Sequence, residues 1–457
     1  MDSLDPATNF GPVSTEDDTA DLPIDGALPS GLNGTLFRIG PNPQFAPADP
    51  QRHHWFVGDG MVHAFTLRDG RAAARNRWVR TEKWKAENAA GRSLTSGFGG
   101  PVTGFANTGV ANTNILWHGG RLLALEEAHL PYEIDPATLA TRGVQDFDKS
   151  VEGPFTAHPK IDPDTGEMVF FGYSAGGPLT PGMSYGTIGA DGRVSRFERF
   201  DAPYSSMVHD FAVTERHAVF PILPLTGSLR RAMSGQMPYA WEPEIGGHVG
   251  VLRRDRGVAS LRWFRAESCY VFHVLNAWDE GDRIIVDVMQ YDEPPLFPRA
   301  DGRPSDPAAT RARLVRWTLD PDGGTDAFTR TPLDDMSGEF PRLDDRWAGK
   351  RNRFGTFASA SALDSGRNAI AWLDLAAGTR SLFTLPPGDG VSEPVFVPRS
   401  PQAPEGDGWL LVVVWRAADR RSELLVLDTG GIDRGPVATV RLAHRVPFGL
   451  HGNWVAA

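Results

Sequence analysis

The sequence predicts an all-β chain, a long antiparallel meander closed as a propeller with degenerate repeats, ahead of a pair of β-sandwich domains. Three observations predict it. Short apolar, β-branched segments recur from one end to the other: LLAL at 122–125, MVFFGY at 168–173, HAVFPIL at 217–223, RIIVDVM at 283–289, WLLVVVW at 409–415 and ELLVLD at 423–428. Hairpin signals lie between them, such as Arg68-Asp69-Gly70, Ala190-Asp191-Gly192 and Asp320-Pro321-Asp322-Gly323, where Asp closes the turn and Gly takes positive φ. Helical periodicity is confined to two short stretches, 81–94 and 229–237, which read as insertions over a β scaffold.

Each element has a compositional reason. Gly and Pro supply 50 and 37 of the 457 residues, which favours many short strands joined by turns. An all-β meander of this length must hide its sheet edges, and radial repetition of four-stranded blades does so around one continuous core. No Ser/Gly linker divides the chain, so 1–457 reads as a single domain with a loosely ordered, acidic entry segment at 1–22.

Composition also narrows function. A formal charge of −11 argues against a general nucleic-acid or anionic-membrane binder, since both need a basic face. No run of about eighteen apolar residues offers a membrane-spanning helix, and the N-terminal stretch has neither a secretory nor a mitochondrial targeting pattern. A single cysteine, Cys269, fits a reducing cytoplasm and rules out thiolate metal clusters, leaving histidine and carboxylate as metal ligands.

Of twelve histidines, His53, His54, His118, His129 and His444 lie in turn-like or charged stretches and read as surface residues. Four others sit in apolar or small-residue settings: Phe155-Thr156-Ala157-His158-Pro159-Lys160, Met207-Val208-His209-Asp210-Phe211, Val271-Phe272-His273-Val274-Leu275-Asn276-Ala277 and Phe448-Gly449-Leu450-His451-Gly452-Asn453-Trp454. A buried neutral imidazole needs a hydrogen-bond donor or a metal for its lone pair. One alone is most simply a hydrogen-bonded core histidine. Four, spread over nearly 300 residues, are what separate blades would each send to a shared axis, and four imidazoles suit divalent iron, zinc or copper.

These four local sequences resemble the histidine motifs of the carotenoid cleavage oxygenase family. So do Arg38-Ile39-Gly40-Pro41-Asn42-Pro43, Gly58-Asp59-Gly60-Met61-Val62-His63, Glu339-Phe340-Pro341-Arg342 and Glu393-Pro394-Val395-Phe396-Val397-Pro398-Arg399. The resemblance implies a seven-bladed β-propeller under a helical and loop dome, with Fe(II) held by His158, His209, His273 and His451. It also implies that Glu127, Glu339 and Glu393 accept hydrogen bonds from ligand histidines, which fixes their tautomer, and that Thr113 lies beside the iron. The implied reaction is O2-dependent cleavage of a carbon–carbon double bond into two carbonyl products without an organic cofactor.

Within the family, Gly120-Arg121-Leu122-Leu123-Ala124-Leu125, Leu130-Pro131-Tyr132-Glu133-Ile134-Asp135 and Trp241-Glu242-Pro243-Glu244 resemble the bacterial lignostilbene and isoeugenol-type enzymes. Those relatives hold a substrate phenol with a tyrosine and a lysine. Phe98 and Glu126 stand at the matching places, so the expected substrate is an apocarotenoid or an aryl alkene that does not depend on a phenol, with Phe56 and Phe98 lining the pocket. Competing readings are an iron-dependent isomerase of the same family and a non-enzymatic scaffold. The expected partners are a small hydrophobic alkene and O2, with peripheral membrane contact as a further expectation.

Overall fold

The structure, a computed structural model, describes residues 8–47, 53–94, 109–360 and 366–457. Contacts divide the chain into two compact units, Met1–Gln145 with Arg353–Ala457, and Asp146–Asn352. Each is built from antiparallel sheets. The first unit has a five-stranded sheet, a four-stranded sheet spanning Asn114–His118 to Thr141–Val144, a six-stranded sheet around Gly408–Arg416, and the paired strands Phe354–Ser359, Ala369–Asp374 and Thr379–Thr384. The second has three four-stranded sheets and a ribbon of Leu225–Gly227 with Tyr239–Trp241. Among the described residues there are seven sheets of four or more strands, the blade number implied above.

The apolar runs become inner strands because both of their faces are covered. In Gly408–Arg416 every residue but the last is buried. Trp409, Leu411 and Val413 enter a core with Leu36, Phe65 and Val426, while Leu410, Val412 and Val414 enter another with Ile370, Trp372 and Phe396. Alternate side chains of one strand therefore serve two cores, so the pattern is continuous rather than alternating. Arg71–Trp78, by contrast, buries only every second residue. Asp69 and Gly70 both adopt positive φ, 52° and 75°, as the two-residue turn between Gly60–Arg68 and Arg71–Trp78 requires.

The helical stretches are shorter than the sequence suggests. One is Glu82–Ala90, capped by the Thr81 hydroxyl, and the other is the five-residue Leu229–Met233. Among the described residues no helix is long and apolar enough to cross a membrane. The described part of the entry segment is tied down: Asp18–Thr19 pairs with Arg71–Trp78, Leu22 is buried, and the Val13 N–H donates to Asn42 Oδ1 at 2.8 Å. Closure of the five-stranded sheet comes from far along the chain, where Gly452–Ala456 pairs antiparallel with Gly34–Pro41.

Candidate metal centre

In the second unit, three segments each present one histidine. His158 lies in the turn before the Met168–Tyr173 sheet, its N–H donating to Thr156 Oγ1 at 2.9 Å while Thr156 N–H donates to Phe171 O. His209 follows Met207, whose N–H donates to Leu225 O. His273 sits in the long strand Tyr270–Glu280 where the register with Arg283–Tyr291 slips twice, between Val271 and Asn276. Such bulges re-aim a side chain that regular pleating would turn elsewhere.

The three side chains converge. Nε2 of His158 is 3.0 Å from Nε2 of His209, which is 3.2 Å from Nε2 of His273, and the rings stand edge to face. All three residues are buried. Nδ1 of His273 hydrogen-bonds Glu339 Oε2, while Glu339 also accepts from the Phe340 N–H and the Tyr291 hydroxyl, both at 2.7 Å. Burial alone would raise the Glu339 carboxyl, but these partners outweigh it, His273 foremost, and hold the pKa below the ordinary carboxylate value. Phe340 takes φ 56°, a costly backbone for a bulky residue, and its ring lies against the His273 ring.

Asp210 holds the three segments in place. Its carboxylate accepts the Phe211 N–H and the Val274 N–H at 2.8 Å each and pairs with Lys160 Nζ at 2.7 Å. Itself the residue after His209, it thus links that segment to the residue after His273 and the residue two past His158. Asp210 lies inside the His209 motif, which implies no role for it. The available signal was a carboxylate adjoining a candidate ligand in an otherwise apolar run.

The first unit carries the fourth histidine. Nδ1 of His451 bonds Glu393 Oε1 at 2.9 Å, and Glu393 Oε2 accepts the Gly452 N–H at 2.9 Å. Thr113 O accepts the His451 N–H, Thr113 N–H donates to Leu125 O, and the Thr113 hydroxyl donates to Asn112 Oδ1. Asn112 Nδ2 in turn donates to Phe56 O at 2.7 Å. Thr113 and Phe56 are therefore bonded into the His451 neighbourhood, while Glu126 and Glu127 follow Leu125 directly. Glu126 is buried with Oε1 2.5 Å from Nδ1 of His129, and Glu127 is partly buried. Phe98 lies outside the described residues.

The histidines expected at the surface are not there. His118 is buried at the end of Asn114–His118, and His53, His54, His129 and His444 are partly buried. Their turn-like sequences hide partners near and far: His129 meets Glu126 three residues before it, and the His444 ring lies 6.1 Å from that of His63.

Comparison with known proteins decides the family. The family model of the retinal pigment epithelial membrane protein (RPE65) matches residues 10–456. The chain is 41% identical to isoeugenol monooxygenase of Pseudomonas nitroreducens over 467 residues, 97% of this chain and 96% of that one. The chain belongs to the carotenoid oxygenase family. The crystal structure of Pseudomonas brassicacearum lignostilbene dioxygenase superposes with a TM-score of 0.96 at 35% identity, covering 100% and 99% of the two chains. That of cobalt-substituted Synechocystis ACO gives 0.89 at 30% identity, covering 100% and 98%.

This carotenoid oxygenase is a seven-bladed β-propeller and an oxidoreductase, and the family cofactor is Fe(II). Its donor set fits such an ion. Among the described residues, His158, His209, His273 and His451 form a buried group able to hold a metal. His273 gives its Nδ1 to a carboxylate, so its Nε2 lone pair faces His209, which wants a cation between them. The 3.0 and 3.2 Å separations of the Nε2 atoms would let one ion be shared among them.

Proposed function

We propose that this protein cleaves the carbon–carbon double bond of an aryl alkene or apocarotenoid with O2, producing two carbonyl compounds. The observation that carries this is the convergence of the His158, His209 and His273 Nε2 atoms, with Nδ1 of His273 bonded to Glu339. His451, backed by Glu393, completes the ligand set, and Glu127 takes the remaining carboxylate role. When bound, iron(II) supplies the means for O2 to react with a closed-shell alkene. The protein's own residues do the rest: Glu339 and Glu393 hold imidazole tautomers and balance charge, and Asp210 fixes the spacing. The Thr113 hydroxyl donates a hydrogen bond to Asn112 Oδ1, which leaves it an acceptor rather than an acid for anything bound beside it.

Relatives named for isoeugenol and lignostilbene favour an aryl alkene. Glu126 pairs with His129, so a carboxylate already engaged by a histidine stands where the relatives' lysine was expected. A phenol there loses its cationic partner, and an unpaired buried hydroxyl costs roughly 1–3 kcal/mol. Substrates without a free phenol are therefore accepted, with Phe56 contributing apolar surface. Purified Fe(II)-loaded enzyme offered isoeugenol, a 4-hydroxystilbene, its methyl ether and an apocarotenal should consume one O2 per aldehyde pair and turn over the ether. Turnover of the hydroxystilbene alone would refute phenol independence. Aldehyde formation without O2 uptake would refute the oxygenase reading.

The same reading places the enzyme in the cytoplasm, in keeping with a single buried thiol at Cys269. Lipid-surface contact would use Leu229 and Met233, exposed on their short helix, and Leu296. Flotation with phosphatidylcholine vesicles, compared with a Met233→Ser variant, tests it.

A further inference from the structure

We infer that the first unit contains a buried halide site between Arg38 and His63. A small cavity is lined by Arg38, Asn42, His63, Phe448 and Gly449, among others, and has room for about one water-sized occupant. Arg38 and His63 are each 5% exposed. Nε of Arg38 and Nδ1 of His63 are both fully buried with no hydrogen-bond partner among the described residues.

Charge and size together select the occupant. Burial brings the Arg38 guanidinium down to about 10, so it stays charged at neutral pH. Glu393 favours the Arg38 charge through space, while its two oxygens accept from His451 Nδ1 and the Gly452 N–H. A second guanidinium, Arg367, adds to the positive potential at Arg38. Burial, with help from His444 and Arg38, keeps His63 neutral, so its tautomer is free to present an Nδ1–H donor. A buried cation that lacks a contact anion is costly, and a water would satisfy hydrogen bonds without answering the charge. Acetate and phosphate are too large for the space. A chloride ion accepting from Arg38 Nε–H and His63 Nδ1–H would answer both the charge and the two unpartnered nitrogens. Nothing in the proposed reaction uses this cavity.

The test is crystallographic and thermal, on the iron-loaded enzyme. Crystals of the wild type grown in sodium bromide should show an anomalous peak at the bromine edge beside Arg38 Nε, and crystals of Arg38→Met should show none. Replacing chloride by gluconate at constant ionic strength should lower the wild-type Tm by about 2 °C, as expected when a ligand bound only to the folded state is withdrawn, and leave Arg38→Met unmoved. Water-like density with no anomalous peak, or an equal Tm response in both proteins, overturns the assignment. Should Arg38→Met fail to fold, the wild-type bromide map decides alone.

Discussion

The two units hold their histidines by different means. In Asp146–Asn352 the tethers are side chains: one Asp210 carboxylate gathers the segments of His158, His209 and His273, and Glu339 orients the last. In the other unit they are mainly backbone. Ile39 N–H donates to His451 O, Leu450 N–H to Ile39 O, and His451 N–H to Thr113 O. That ladder depends on close approach, because a Cβ on Gly40 would sit 2.4 Å from the Gly449 Cα. Side-chain tethers are lost by deleting one group, whereas a backbone ladder is disturbed only by changing the distance between chains.

Asp210→Ala tests the first kind and should do the most damage. It strands two buried N–H groups, roughly 1–3 kcal/mol each, and frees three ligand segments at once. Iron content after gel filtration should fall well below one per chain, and a variant that keeps full iron and activity would break the contrast. Gly40→Ala tests the second. Overpacking there should cost roughly 1–3 kcal/mol, visible as a lowered denaturant midpoint, with loss of activity no greater than the loss of folded protein. Wild-type stability in Gly40→Ala would mean that the ladder yields.

The smallest effect is expected at Glu126–His129. Burial opposes charge on His129, but the Glu126 carboxylate outweighs it, so the pKa is raised. A raised histidine contributes stability that is present below its unfolded value near 6.5 and lost as pH rises through the folded pKa. The Tm difference between wild type and Glu126→Gln should therefore be larger at pH 6 than at pH 9. A difference that grows with pH would show that the pair is not ionic.

Much of this was legible in the residues. The apolar runs at 168–173 and 409–415 are strands, and the four histidines and two of three glutamates stand in buried, bonded settings. Local pattern carried the strands and the buried settings of the histidines, because strand pleat and burial are local properties, whereas the glutamates came through family likeness. The count of seven blades was not readable from periodicity, since the repeats are degenerate, and came only through family likeness. Asp210 adjoins a candidate ligand in an apolar run, but the partners that give it its role are remote. Its role lies in bonds to Val274 and Lys160, 64 and 50 positions away, and separation of that kind leaves no periodic trace. His118 and His129 misled because a polar neighbourhood in sequence was taken for a wet one in space.

The pairing of Gly34–Pro41 with Gly452–Ala456 has a temporal side. Roughly 400 residues separate the partners, and at typical ribosomal rates they emerge roughly 20–80 s apart. Throughout that interval the early strand has an uncovered hydrogen-bonding edge, a known hazard for association between nascent chains. His451 arrives with the late strand. Assembly of the iron pocket is thus bound to the last act of ring closure, and a chain interrupted during translation carries neither a sealed sheet nor a complete set of ligands.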